Sequence, residues 1–338
     1  MTDTLSQLSV LSLYSTMGIY ALAFVAFALD LARRGSRATM STAVPSAVAR
    51  RAEAAQSMDS ADGRPRTAAL TRISGHIENE VQHGHERSAS LHVAFALTIL
   101  GFLFHLVAVV SRGIAAGRVP WANMWEFSMT GTLIIVGVFL LLNVRYDLRF
   151  LGAFVMGLIL ILLGIAAVRY YVDVVPLPPA LQSYWLVIHV IVAIIATGFF
   201  ALGFALSGVQ LLQARREQLT VSAGGPKLRF LATLPPSETL ENLAYRVNIV
   251  GFILWTFTLM AGSIWAEKAW GRYWGWDTKE VWTFIIWVLY AGYVHARATR
   301  GWRGARSAWL AIIGFSAVMF NFGIVNVFFK GLHSYSGL

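Results

Sequence analysis

The sequence lacks cysteine and has few charged residues. None of its 338 residues is cysteine, and Asp, Glu, Lys and Arg together make up 13%. Without cysteine the chain has no disulfide, no thiolate metal ligand and no thioether attachment site of its own. A soluble domain of this length carries about twice that charged fraction. The sequence also contains no internal repeat and no phosphate-binding glycine loop.

Long apolar runs fill most of the chain instead. Hydrophobic residues make up 57%, and the mean hydropathy is +0.62. Many runs are long enough to cross about 30 Å of hydrocarbon as a helix. Because the backbone in lipid must satisfy its own hydrogen bonds, these runs predict helices and not loops. We therefore expect an all-α, polytopic integral membrane protein with about eight transmembrane helices, at residues 11–32, 89–111, 126–144, 150–168, 185–212, 243–265, 279–296 and 307–329.

The basic residues predict the orientation of these spans. Twenty of the 27 Lys and Arg residues follow the first, third, fifth and seventh spans, and seven lie on the other side. Because cytoplasmic loops carry an excess of Lys and Arg, the first group is expected to be cytoplasmic and both termini outside. The same bias explains the net charge of +10 without a nucleic-acid partner. The first apolar run lacks a basic leader and a small-residue cleavage site, so it is expected to be a retained helix.

Composition divides the chain into three parts. Residues 1–32 are expected to hold the first transmembrane helix. Residues 33–88 are rich in Ala, Ser and Arg, with little apolar periodicity, which predicts a basic, mostly disordered cytoplasmic loop. The basic side chains of this loop are expected to lie on anionic lipid headgroups. Residues 89–338 are expected to form a membrane domain of seven helices.

Tryptophans cluster at the connection between the sixth and seventh spans, in a polar stretch that contains "WGRYWGWDTKEVW". An interfacial aromatic belt explains one or two tryptophans at each helix end, but it accounts poorly for Trp265, Trp270, Trp274, Trp276 and Trp282 together. If the segment is helical, Trp270, Trp274 and Asp277 share one face. Such a platform suits a large, flat, apolar ligand with a polar edge. Asp277 is expected to cap the following helix or to orient a histidine.

Three histidines lie near predicted helix ends and are candidates for function. His189 is about one turn inside the outer end of the fifth span, His333 follows the eighth span, and His295 is near the cytoplasmic end of the seventh. Ionisable residues within membrane spans are costly and by default suggest function. His189, His333 and the tryptophan-rich segment are all predicted to meet at the outer surface.

Haem fits this combination of residues. Its macrocycle can lie on the indoles while its iron takes two axial imidazoles from His189 and His333. A quinone would also stack on tryptophan, but it would leave the two histidines without a common task. The haem propionates need cations, and four lie on the predicted outer side: Arg112, Arg118, Lys268 and Arg272.

The second span also carries two histidines. His92 and His105 are thirteen residues apart, a spacing with which one helix can hold ligands for two stacked haems. No other span has a matching pair of histidines, and either residue could instead hydrogen-bond a neighbouring helix.

At these residues the sequence resembles a known family. "WGRYWGWD" matches the tryptophan-rich WWD signature of haem-handling proteins in cytochrome c maturation, and His189 and His333 match the external haem ligands of that family. Among its branches the chain most resembles the CcsA (ResC) family of the system II pathway. The resemblance covers roughly residues 90–338 and rests further on "GRVPWANMWEF" at 117–127, "VLYAGYVHARATRGW" at 288–302 and "VNVFFKGLHSYSG" at 325–337.

The resemblance implies a function. It implies a haem-handling subunit of the system II cytochrome c synthase, which conveys haem to the outer face of the membrane and presents it to the CxxCH motifs of apocytochrome c. The expected partners are a ResB-type (CcsB) membrane protein with a large external domain, apocytochrome c and thiol-reducing proteins. The expected location is the cytoplasmic membrane of a bacterium, with the WWD segment outside, or a thylakoid membrane in a plastid.

The resemblance also assigns roles to residues. It implies non-covalent haem b with bis-His ligation by His189 and His333. It further implies a second, intramembrane haem ligand at His295, with an axial partner from the ResB component or, within this chain, from His92. The resemblance also implies that the haem platform is formed by Trp270, Trp274, Trp276 and Asp277. No acid–base or nucleophilic residues are expected, because the chemistry consists mostly of positioning the substrate and controlling the iron redox state.

Two other functions remain open from the sequence. One is a transporter of the related WWD branch that loads a haem chaperone. The other is a haem- or quinone-dependent electron-transfer subunit, which would have histidine pairs on two adjacent spans.

Overall fold

The computed structural model describes residues 2–58, 89–174, 182–223, 231, 233–299 and 302–333, with the side chains of 35–58 and 220–223 excepted. These residues are almost entirely helical and contain no strand. The eight main helices are α1 Thr2–Met58, α2 Ala89–Ala116, α3 Met124–Arg145, α4 Gly152–Arg169, α5 Tyr184–Ala223, α6 Ser237–Trp270, α7 Thr278–Ala298 and α8 Ala305–Phe320. Helix α8 continues through a π-helical turn, Asn321–Val325, into a last turn, Asn326–Phe328.

Seven of these helices, all except α7, are long and apolar enough to cross a membrane. This confirms the predicted all-α, polytopic membrane protein. Helix α7 has 21 residues, a sufficient length, but it is less apolar because it carries Trp, Tyr and charged residues. The structure thus identifies one span fewer than the predicted eight by length and composition.

Contacts at both ends of α7 nevertheless show that it extends across the bundle alongside α6 and α8. At one end, Arg297 of α7 pairs with Glu241 of α6 at 2.7 Å, and the Gly304 N–H before α8 donates to the same carboxylate. At the other end, Asp277 precedes α7 and bonds to His333, which follows α8. Helix α7 therefore runs antiparallel to both neighbours along their length, which favours the predicted eighth crossing.

Helix packing brings two groups of helices together around one apolar core. Helix α1 packs along α2 and also contacts α4, while α5 packs along α6 and contacts α3 and α8. Glycine permits close contact where a ring crosses a neighbouring helix: a Cβ at Gly101 of α2 would lie 2.5 Å from Tyr20 of α1. The helices are held by such contacts because lipid supplies no hydrophobic driving force between them.

The predicted boundaries hold to within a few residues except at α1, α5 and α6. Helix α5 continues to Ala223, beyond the predicted end at 212, and α6 begins at Ser237, before the predicted start at 243. The sequence predicts a loop from residue 33, whereas α1 continues to Met58. This part of the chain is rich in Ala and Arg, which favour helix. The rest of the predicted loop, 59–88, lies outside the described residues. The division of the chain into three parts stays a prediction.

Candidate functional site

The tryptophan-rich connection is not a helix. Helix α6 ends at Trp270, and Gly271 closes it in the left-handed conformation, with φ of 69°, donating its N–H to Glu267 at 2.8 Å. A residue with a Cβ is strained at such a positive φ. The shared helical face of Trp270, Trp274 and Asp277, expected for a helical segment, is therefore not formed.

Asp277 caps α7, as predicted. Its carboxylate accepts from the Lys279 N–H, and the Glu280 side chain accepts in return from the Asp277 N–H at 3.1 Å. This reciprocal pair satisfies backbone donors that the first turn of a helix leaves open. The Asp277 carboxylate also bonds to His333, so one side chain both begins α7 and holds the chain after α8.

His189 of α5 is fixed against α6. Its Nδ1 lies 3.0 Å from the Thr258 carbonyl oxygen, and because a carbonyl only accepts, Nδ1 carries the proton. Gly262 makes room for the ring, since a Cβ there would lie 2.7 Å from His189 Cε1. The imidazole is stacked on Trp265. In this tautomer the lone pair of the neutral ring is on Nε2.

His333 is fixed in a similar way from the other side. Its Nδ1 donates to Asp277 Oδ2 at 2.8 Å, and its ring meets the edges of Trp270 and Trp265 at centroid distances of 4.8 and 5.5 Å. Burial lowers the pKa of His333 below its usual value, while the Asp277 carboxylate counteracts this. A neutral ring held through Nδ1 leaves Nε2 available, the arrangement that metal-ligating histidines commonly have.

A cavity of about 410 Å³ lies at this end of the bundle, lined by both His189 and His333. Its lining is mostly apolar and includes Trp265 and Trp274. A volume of this order and a few polar groups in an apolar lining are typical of small-molecule and cofactor sites. The structure thus brings together the two histidines that the sequence singled out.

The tryptophans divide between different tasks. Trp274 lines the cavity, while Trp270 packs on Trp265 and His333. Trp276 is 75% exposed, at a positive φ of 59°. The sequence did not separate Trp265 from the other tryptophans, although it is the one that contacts both histidines. Its burial depends on helix packing, which spacing along the chain does not reveal.

The four cations considered for propionates do not line the cavity. Arg112 and Arg118 both pair with the buried carboxylate of Glu126. Lys268 pairs with Glu267 at 3.2 Å and is largely exposed. The guanidinium of Arg272 lies over Gly275 of the connecting segment. The cavity is lined instead by a different cation, Lys279.

The remaining histidines lie elsewhere. His295 is exposed on α7, on the side of the described bundle that no other helix covers, and His92 is exposed on α2. His105 is fully buried, and its Nδ1 lies 3.4 Å from the Tyr20 hydroxyl of α1. The alternative that His105 hydrogen-bonds a neighbouring helix is thus the one that the structure favours.

The donor set suits a metal that brings its own equatorial ligands. Among the described residues no group of three or more His, Cys, Asp and Glu side chains could hold a bare ion. Two imidazoles with available Nε2 atoms, an apolar cavity and aromatic rings fit the iron and macrocycle of haem. His189 and His333 would hold the iron. Trp265 and Trp274 would contact the macrocycle or the two imidazoles.

Comparison with known proteins identifies the family of this chain. The family model described as cytochrome C assembly protein matches residues 121–333. A cytochrome c biogenesis protein CcsA from Guillardia theta is 34% identical over 262 residues, covering 73% of this chain and 86% of that protein. Another CcsA, from Prochlorococcus marinus subsp. pastoris, is 37% identical over 261 residues, covering 71% of this chain and 82% of that protein.

The fold of this chain is also similar to that of a solved structure. The solved structure of the cytochrome c heme lyase CcmF has a TM-score of 0.61 and 15% identity, covering 94% of this chain and 46% of that chain. A likeness at this identity shows a shared fold. The predicted resemblance to CcsA proteins is confirmed by the sequence relatives. The chain therefore belongs to the cytochrome c assembly protein family.

Proposed function

We propose that this chain holds haem between His189 and His333 and presents it to the CxxCH motifs of apocytochrome c. The observation that carries the proposal is that both imidazoles are held through Nδ1 at the same cavity. Each donates from Nδ1 to a fixed acceptor, Thr258 or Asp277, and each lines the same cavity. A hydrogen bond donated by one ring nitrogen fixes the tautomer of a metal-ligating histidine and raises the basicity of the other nitrogen.

Haem is the cargo in this proposal, and the role of the chain is to position it. Attachment adds the two cysteine S–H groups of a CxxCH motif across the two haem vinyl groups, which forms two thioethers without net oxidation. Holding one face and edge of the macrocycle makes such an addition stereospecific and lowers its entropic barrier. The buried Trp265, which contacts the rings of both histidines, supports this task.

The proposal includes a second haem ligand and a partner chain. His295 is exposed on α7, and an exposed ligand suits an iron whose other axial ligand comes from another protein. We propose a ResB-type membrane protein as that partner, with thiol-reducing proteins keeping the client cysteines reduced. The complex would act as a holocytochrome c synthase.

The proposed orientation places the cavity outside. The ends of α3, α5, α6 and α7 that surround the cavity are those that the distribution of basic residues assigns to the external side. Haem presented there reaches apocytochrome c in the periplasm or, in a plastid, in the thylakoid lumen. The membrane would be the cytoplasmic membrane of a bacterium or the thylakoid membrane.

Ligand substitution with chemical rescue tests this function. The chain is co-expressed with a ResB-type partner and a cytochrome c reporter, and covalent haem on the reporter is measured. We expect His189→Gly and His333→Gly each to lose most maturation and to alter the absorption spectrum of the purified complex. Added imidazole should restore maturation, because it can fill the space that the missing ring leaves.

A control variant and a contrary result make the test specific. His85→Gly changes a histidine of the predicted loop and should leave both readouts unchanged. Unaltered haem content and maturation in both His189→Gly and His333→Gly would disprove the ligand assignment. Haem retained in the wild-type complex without covalent transfer to the reporter would instead favour delivery to a chaperone.

A further inference from the structure

One wall of the cavity is polar and carries hydrogen-bond donors. Lys279 of α7 donates from Nζ to the Asn321 carbonyl at 2.9 Å and to Asn326 Oδ1 at 2.7 Å. An ammonium group has three N–H donors, so one donor remains after these two bonds. Lys279, Asn321 and Asn326 all line the cavity, as does Asn123.

Asn123 adds a second donor from a different helix. Its Oδ1 accepts from the Glu126 N–H at 2.9 Å and so caps α3. Its Nδ2 is buried and has no hydrogen-bond partner, although a buried amide group without a partner is costly. Asn326 connects the regions of the two donors. It accepts from Lys279, and its Nδ2 lies 3.3 Å from the sulfur of Met124, the residue that follows Asn123.

The charge behind this wall is positive. Asn123 begins the 22-residue α3, whose amino-terminal end carries the positive end of the helix dipole. Behind Asn123, Arg112 and Arg118 both pair with the carboxylate of Glu126. An anion at the wall would therefore be stabilised.

One acidic side chain opposes this. Glu280 follows Lys279 and also lines the cavity. Its Oε2 accepts from the Gly275 and Asp277 N–H groups at 2.7 and 3.1 Å. Two backbone donors thus hold Oε2 at the connecting segment, while Oε1 is buried without a hydrogen-bond partner. The Glu280 charge therefore offsets part of the positive charge at this wall, where the Asn123 amide also lacks a partner.

We propose that Lys279 and Asn123 bind the propionate edge of the haem and so set its orientation in the cavity. This inference rests on the proposed function and deepens it. A planar apolar macrocycle between two imidazoles can rotate about the axis through its iron, and a carboxylate held at one wall removes that freedom. Orientation would matter for attachment, because the vinyl groups lie on the opposite side of the macrocycle from the propionates.

A comparison of two porphyrins tests the inference. The full chain, purified without haem in lipid nanodiscs, is titrated with haem and with haem dimethyl ester, which lacks the propionate charges. Binding is followed by absorbance. We expect the wild type to bind haem about tenfold or more tightly than the ester, the size of one charge-assisted hydrogen bond.

The variants should change this ratio selectively. Lys279→Met should lose most of the preference for haem while binding the ester about as well as the wild type does. Asn123→Asp, which replaces the amide donor by an acid, should weaken haem more than ester. Lys330→Met, which removes an exposed cation at the same end of the bundle, should leave the ratio unchanged. Because each ratio is measured on one preparation, a loss of folded protein cancels.

The outcomes separate this inference from the function on which it rests. The propionate site would be overturned if Lys279→Met preferred haem over the ester as strongly as the wild type does, or if the wild type showed no such preference. Either result would leave haem binding intact. If His189→Gly leaves the affinity for both porphyrins unchanged, the haem site itself is misassigned and both proposals fall. A lost preference in Lys279→Met, with His189→Gly weakening both porphyrins, would support both.

Discussion

The imidazole of His189 lies parallel to the indole of Trp265, with an angle of 10° between the planes and 6.0 Å between the ring centroids. The same indole meets the ring of His333 edge to face at 5.5 Å. Trp265 is 2% exposed, so it is a fixed surface against which both rings are placed. Two histidines that are 144 residues apart in the sequence thereby share one support.

Replacing Trp265 should therefore disturb both histidines at once. We expect Trp265→Leu to lower the haem content of the purified complex several-fold, because both imidazoles lose a rigid neighbour. Haem per protein, measured by the pyridine haemochrome assay, checks this. Trp309→Leu, which changes a half-exposed tryptophan on α8, is the control and should retain haem. Equal haem content in the two variants would argue against a shared support.

Gly262 should be sensitive to a single methyl group. A Cβ there would lie 2.7 Å from His189 Cε1, and overpacking of this kind costs about 1–3 kcal/mol. We expect Gly262→Ala to shift the absorption spectrum of bound haem and to weaken its binding about tenfold, since 1.4 kcal/mol corresponds to a factor of ten.

The control for Gly262 is another helical glycine with open space. At Gly292 of α7 nothing lies within 4 Å of an added Cβ, so Gly292→Ala should bind haem as the wild type does. In a His189→Gly background, Gly262→Ala should have little further effect. Additive losses in the double variant would show that Gly262 acts independently of His189.

Asp277 has two tasks that substitution can separate. Serine is also a good N-cap, but it is shorter and uncharged, so Asp277→Ser should retain stability while it loses the bond to His333. Asp277→Ala should in addition lose the cap, which is worth about 1 kcal/mol. Thermal unfolding in detergent and the haem spectrum measure the two effects. Equal melting temperatures for the Ser and Ala variants would contradict the capping role.

Glu126 should be required for stability. Both of its oxygens accept from buried or nearly buried arginines, Arg112 at 3.1 Å and Arg118 at 2.5 Å. Removing one partner of a buried ion pair typically costs about 3–5 kcal/mol, because a charge is left without compensation. We expect Glu126→Gln to lower the midpoint of thermal unfolding markedly. Glu238→Gln, at an exposed position of α6, should not change it.

An arginine variant checks the reason for this loss. If uncompensated charge is the cause, Arg112→Met should restore part of the stability of Glu126→Gln. A double variant less stable than Glu126→Gln alone would show that Arg112 contributes through packing and not through charge.

The histidines show how far sequence reasoning reached. His189 and His333 were placed at the same end of the bundle because span counting and the distribution of basic residues require it. The structure places both on one cavity. The same reasoning could not choose among cations: the sequence favoured four that the structure finds elsewhere, and it overlooked Lys279. Two residues on the same side of a membrane can point to different helix neighbours.

The sequence by itself determined that the chain is helical and polytopic, since long apolar runs have few other solutions in lipid. It also predicted where most helices begin and end, and it gave Asp277 the two roles, capping a helix and orienting a histidine, that the structure shows together. Only the tertiary structure decided that Trp265 supports both histidines and that Lys279 and Asn123 share a wall. The rotation of each helix about its axis, which directs a side chain into a cavity or away from it, is set by contacts between helices far apart in the chain.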